Sequence, residues 1–177
     1  MIPRASLWAT ATVVIWLAAG TTALAAEPRA LAPDARWREP LGRAEIALAG
    51  GDAREAERAW DEAHRAVIRS GTSGGMLEVG LAYLRIGEAA RDRQTAVARA
   101  RQIFLLALFQ ARERRDPGVV AAAGEAFASL GDREVADRAF AVAMALATRN
   151  GDARTRESIA ILRQRLTPSA SGISAAR

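Results

Sequence analysis

The stretch that decides the fold is residues 116–143: Asp-Pro-Gly-Val-Val-Ala-Ala-Ala-Gly-Glu-Ala-Phe-Ala-Ser-Leu-Gly-Asp-Arg-Glu-Val-Ala-Asp-Arg-Ala-Phe-Ala-Val-Ala. Asp116 followed by Pro117 is a strong helix start, because the carboxylate can accept from an early helical N–H and proline lacks a donor that would otherwise go unpaired. Small and apolar residues then continue to Leu130. Gly131 can adopt positive φ and so end that helix, and Asp132 opens the next. The stretch therefore predicts two helices, 118–130 and 133–148, turning sharply at Gly131-Asp132.

The same punctuation recurs to either side. Gly50-Gly51-Asp52 divides predicted helices 37–49 and 53–69, and Asp52 with Glu55 three residues later predicts a capping box. Residues 70–75, Ser-Gly-Thr-Ser-Gly-Gly, read as a polar break. Helices 76–90 and 95–114 follow, joined through Arg91-Asp92-Arg93. Asn150-Gly151-Asp152 opens a last helix, 153–166. Strict apolar alternation, the signature of strands, is missing after the N-terminal segment, so the reading is all-α.

Composition agrees. The chain has 177 residues, half of them apolar but only 5% aromatic. This length fits one domain with a single core, and alanine-rich apolar content suits closely packed helices. All 25 basic residues are arginine, set among 20 acidic ones for a net charge of +5. The interspersed acids and the export reading below argue against nucleic acid as a partner. Cysteine is absent, which excludes disulfides, thiolate metal sites and a lipidated N-terminal cysteine.

Residues 1–25 read as a signal peptide. Arg4 supplies the positive start, no charge occurs from Ala5 to Ala26, Gly20-Thr21-Thr22 breaks the apolar segment, and Ala23-Leu24-Ala25 places small residues before a cleavage site at Ala26. The competing reading is an uncleaved membrane anchor, since the uncharged stretch approaches the roughly 20 residues a spanning helix needs. Residues 26–36 read as a linker containing Pro28 and Pro33, 37–166 as the helical domain, and 167–177 as a disordered tail. The expected location is periplasmic or secreted.

Paired helices with a recurring turn call for a search for repeats. Gly124, Phe127, Gly131-Asp132, Ala136, Phe140 and Ala143 form a pattern that resembles the tetratricopeptide repeat. Ala44, Gly51-Asp52, Ala56, Trp60 and Ala63 form a second copy in which Ala47 stands where the family has a large residue. Gly80, Tyr83, a turn-like Gly87-Glu88, Ala100, Phe104 and Ala107 form a third, which needs roughly eight residues more around Glu88 to Thr95 than the usual 34-residue unit. The resemblance implies a helix-turn-helix repeat array, a TPR-like α-solenoid of about three repeats. Ile159, Leu162 and Leu166 give the last helix an apolar face suited to capping it.

In that family the first helices of successive repeats line a groove that holds a partner. Carried over, this gives Arg38, Leu41, Glu45 and Leu48 from the first unit, Leu77, Glu78, Leu81, Leu84 and Arg85 from the second, and Ala121, Ala122, Glu125 and Ala128 from the third. The lysines and asparagines of the family's carboxylate-clamp subtype do not stand at these positions. The implied ligand is an apolar or basic protein segment, oriented by Glu45, Glu78 and Glu125. The alternative is that the leucines pack against neighbouring helices.

Chemistry is hard to find. His64 is the single histidine, so a Ser-His-Asp triad would have to be built around it, and its neighbours Asp61, Glu62 and Arg65 read as a helix surface. No lysine is present for a phosphate-binding loop, and the carboxylates show no metal-ligand spacing. No catalytic residue, cofactor or metal is expected. Arg91, Arg93, Arg99 and Arg101 offer a second surface, either for anionic headgroups or as a solvated turn. The expected function is a non-catalytic scaffold or adaptor of the bacterial envelope. An accessory subunit of a cell-wall or polysaccharide enzyme, and a self-assembling structural protein, are the alternatives.

Overall fold

A computed structural model describes residues 36–166. The expected signal segment, the tail and all of the linker but Arg36 lie outside them. Seven α-helices follow one another: α1 (Arg38–Ala49), α2 (Ala53–Ser70), α3 (Ser73–Ala89), α4 (Arg93–Glu113), α5 (Pro117–Ser129), α6 (Arg133–Arg149) and α7 (Ala153–Leu166). Each packs against the next in sequence, and α1 and α5 both touch α3, so the array grows sideways as a row of antiparallel hairpins. No strand occurs among the described residues, and no helix there is long and apolar enough to cross a membrane.

The turns share a design. Gly51, Gly71, Gly131 and Gly151 have φ between 64° and 83°, the left-handed backbone that favours glycine. Arg91 and Arg115 take the same conformation at the two remaining turns, with φ of 59° and 55°. An aspartate follows in most cases and caps the next helix. Asp52, Asp92, Asp116 and Asp152 accept from the backbone N–H of Glu55, Thr95, Val119 and Thr155 at 2.9 to 3.3 Å. At the first of these turns only half of the expected box forms: the Asp52 N–H donates to the Ala47 carbonyl at 2.9 Å, and the Glu55 carboxylate pairs with Arg58 at 3.1 Å.

Two expectations are corrected. The polar break at 70–75 shrinks to Gly71-Thr72, and Ser73-Gly74-Gly75 becomes the first turn of α3. Gly75 is needed there because a Cβ would lie 2.8 Å from the Trp37 ring. The extra residues of the second unit do not form a loop, nor does the chain turn at Gly87-Glu88. Gly80 packs on Phe104 as Gly124 packs on Phe140. From these matched contacts, α3 runs about one helical turn further to Arg91 than α5 does to Gly131. Asp92 lies further from Phe104 than Asp132 does from Phe140 by the same margin, roughly four residues on each side. The insertion therefore lengthens both helices and adds one layer, in which Gly87 lies directly against Ala96.

The core runs through the whole row. Trp37, Trp60, Phe104, Phe127 and Phe140 fill successive layers among buried alanines, and Ile159 of α7 closes the end at 1% exposure. Leu162 packs beside it, whereas Leu166, expected on the same face, is exposed. The indole N–H of Trp60 donates to the Val79 carbonyl at 2.7 Å, tying α2 to α3.

Candidate partner-binding groove

The first helices of the hairpins leave a continuous channel on one side. Between α3 and α5 lies a cleft of about 570 Å³, lined by Leu77, Leu81, Val119 and Ala122 with Glu78 and Glu125 beside them. Between α1 and α3 lies another of about 370 Å³, lined by Leu41, Gly42 and Leu81 with Arg38, Glu45, Glu78 and Arg85. Glu78 and Leu81 belong to both, so the clefts join across α3. The floor is aliphatic and small because Gly42, Gly74, Gly118 and Ala122 present little or no side chain.

Its charges differ in state. Glu45 is joined to Arg85 by an ion pair between α1 and α3, which leaves it less able to orient a ligand than the sequence implied. Glu78 and Glu125 form no ion pair among the described residues. Burial pushes the Glu78 carboxyl above its ordinary range, with Arg38 pulling it partly back. A partly desolvated, unpaired carboxylate between aliphatic walls is a site where an incoming guanidinium or ammonium would be favoured.

Of the residues carried over from the family pattern, Arg38, Leu41, Glu45, Leu77, Glu78, Leu81, Arg85, Ala122 and Glu125 line these clefts. Leu48 and Leu84 do not; both pack, half-buried, on the core. Each i+3 step lags a full helical turn by about 60°, so Leu84, two such steps from Glu78, has rotated about 120° around α3, and Leu48 stands one further step past Glu45 on α1. Ala121 is buried, and Ala128 faces a small hollow near α6 and α7.

The arginine surface read from sequence separates on folding. Arg99 lies over the Trp60 and Tyr83 rings at 4.7 and 5.0 Å and approaches Asp61 at 3.8 Å, while Arg101 is paired with Asp132. Of these four, only Arg91 and Arg93 remain exposed at the hairpin tip without an ion pair among the described residues. His64 stacks on Trp60 with ring centroids 4.8 Å apart. Burial first and Arg99 second lower its pKa, against a smaller opposing pull from Asp61. No hydroxyl nucleophile hydrogen-bonds to it among the described residues, and no group of three metal-binding side chains occurs there.

Sequence reasoning missed the opposite side of the array. Leu105, Leu106 and Phe109 are 38%, 51% and 55% exposed, and a trough of about 600 Å³ runs between α4 and α6 beside Leu105, Phe109 and Val142. The signal was available: residues 103–109 are an unbroken apolar run, wider than the single face that a half-buried helix can cover.

No family model, curated protein or solved structure matches the chain.

Proposed function

We propose that the protein is a non-catalytic scaffold of the tetratricopeptide type, acting in the bacterial envelope, and that it holds an apolar segment with a basic residue in the groove of α1, α3 and α5. The observation that supports this most is the pairing of Leu81 with Glu78. Both line both clefts, so one apolar contact and one unpaired carboxylate stand at the centre of the channel. The aliphatic floor would take leucine-sized side chains, and Glu78 with Glu125 would orient a cation beside them. His64, stacked on Trp60, is placed for packing and not as a general base in a cleft.

Selection from a random peptide library tests the reading. Recovered peptides should combine arginine or lysine with aliphatic residues, and a Leu81→Arg variant with an unchanged helical spectrum should retain none of them. Acidic peptides, or equal retention by that variant, would refute it.

A further inference from the structure

The turns of an up-down helical row fall on two edges; exposed arginines stand at both, but at one of them few acids are free beside them. The α2–α3, α4–α5 and α6–α7 turns lie together: the Asn150 amide donates to the Arg115 carbonyl at 3.3 Å, and Gly71 sits against the Arg114 guanidinium. Arg65, Arg69, Arg112, Arg114, Arg115 and Arg149 occupy the ends of α2, α4 and α6 at this edge. All are exposed, and none is in an ion pair among the described residues. The arginines that do pair, such as Arg43 with Glu62 and Arg101 with Asp132, are placed elsewhere.

Among the acids at these three turns, Asp116 and Asp152 are held as helix caps, leaving Glu113 as the nearest exposed counter-charge. Attraction of cations to helix C-termini accounts for Arg69, Arg112 and Arg149. Arg114, the C-cap of α4, and Arg115 directly after it add two further cations at the same end.

Exposed apolar side chains adjoin these charges. Ile68, 52% exposed, is in the last turn of α2, and Phe109 stands about 6 Å along the axis from the end of α4, with Leu106 a turn behind it. Apolar side chains exposed on the flank of α2 and α4 immediately beside a basic rim form the arrangement of an interfacial surface, in which the apolar face enters the headgroup and acyl boundary and the cations stay at headgroup level. We propose that this rim together with the adjoining flank of α2 and α4 is a docking surface for an anionic lipid bilayer, the arginines meeting phosphate headgroups while Ile68, Leu106 and Phe109 enter the interface. A soluble polyanion would use the arginines but leave the apolar set without a role. The proposal is independent of the groove, which opens on the first helices.

Co-sedimentation with vesicles tests it, using the chain from Ala26 onward, which contains all seven helices and the core they share. Binding is expected to phosphatidylglycerol-containing vesicles and not to pure phosphatidylcholine, and it should weaken as salt rises. Arg65→Gln, Arg112→Gln, Arg114→Gln together should lower the partition coefficient by roughly tenfold or more. Leu106→Ser with Phe109→Ser should lower it too, while Arg54→Gln with Arg133→Gln at the opposite edge should leave it unchanged, circular dichroism confirming each fold. The proposal is overturned by absent binding to the anionic vesicles, by equal loss from the opposite-edge pair, or by charge-dependent binding that ignores Leu106 and Phe109, the behaviour of a polyanion site.

Discussion

Arg101 grips Asp132 with two parallel hydrogen bonds, Nε to Oδ2 at 2.6 Å and Nη2 to Oδ1 at 2.9 Å, and so fastens α4 to the turn between α5 and α6. Asp132 stands where Asp52, Asp92, Asp116 and Asp152 cap their helices, yet its side chain makes no capping bond to α6. The bidentate geometry explains the exchange, since a planar guanidinium matches both carboxylate oxygens and a backbone N–H only one. A double-mutant cycle with Arg101→Ala and Asp132→Ala should therefore show a favourable coupling energy that shrinks in high salt. Additive losses would mean that the pair is incidental.

The glycines of the first helices should respond to alanine with opposite signs. A Cβ at Gly80 would collide with the Phe104 ring, whereas one at Gly42 meets nothing within 4 Å. Gly80→Ala should cost roughly 1–3 kcal/mol through overpacking, despite alanine's helix preference. Gly42→Ala should gain up to about 1 kcal/mol from that preference. Urea unfolding of the two variants measures both.

Arg91 holds left-handed backbone at φ 59°, a conformation costing a residue with a Cβ about 1–2 kcal/mol. Glycine avoids that cost but has a more flexible unfolded state, worth roughly 0.5–1 kcal/mol. Arg91→Gly should leave the α3–α4 hairpin intact and raise stability by up to about 1 kcal/mol, read as a higher unfolding midpoint at unchanged slope.

Glu78 should trade stability for binding. Its folded pKa lies above the ordinary glutamate value of 4.5 because burial disfavours the charged form. In the window between 4.5 and the raised folded pKa the native state binds more protons than the unfolded chain, so this group's contribution falls as pH rises through that window. Glu78→Gln should accordingly be more stable than the wild type at neutral pH, lose that advantage on acidification, and bind basic peptides more weakly. Thermal unfolding across pH 3–7, with peptide titration at pH 7, checks both halves.

What the sequence revealed and what it hid have physical causes. The turns are legible because Gly51-Asp52 and Gly151-Asp152 combine a left-handed residue with a cap, a local requirement that does not depend on neighbours, and Gly131 supplies the same left-handed residue. The α3–α4 turn stands where the charged stretch Arg91-Asp92-Arg93 places it, with Arg91 in the left-handed conformation, whereas the repeat pattern set it at Gly87-Glu88 because Gly87, which looks like a turn residue, is demanded by the close approach of Ala96. In the groove, the family resemblance implied α1, α3 and α5 as lining helices but did not fix the rotation of each about its axis, which is what separates Leu81 from Leu84. The Glu45–Arg85 and Arg101–Asp132 pairs span different hairpins and had no local signal.

The most direct test of the central claim is photo-crosslinking in living cells from a benzoylphenylalanine placed at Ala122, an exposed position on the groove floor, with Ala145 on α6 as the control. A discrete protein adduct from position 122, weaker or absent from 145 and abolished by Leu81→Arg, is the result predicted for a groove that holds a partner segment. No adduct from 122, or the same adducts from both positions, would contradict it.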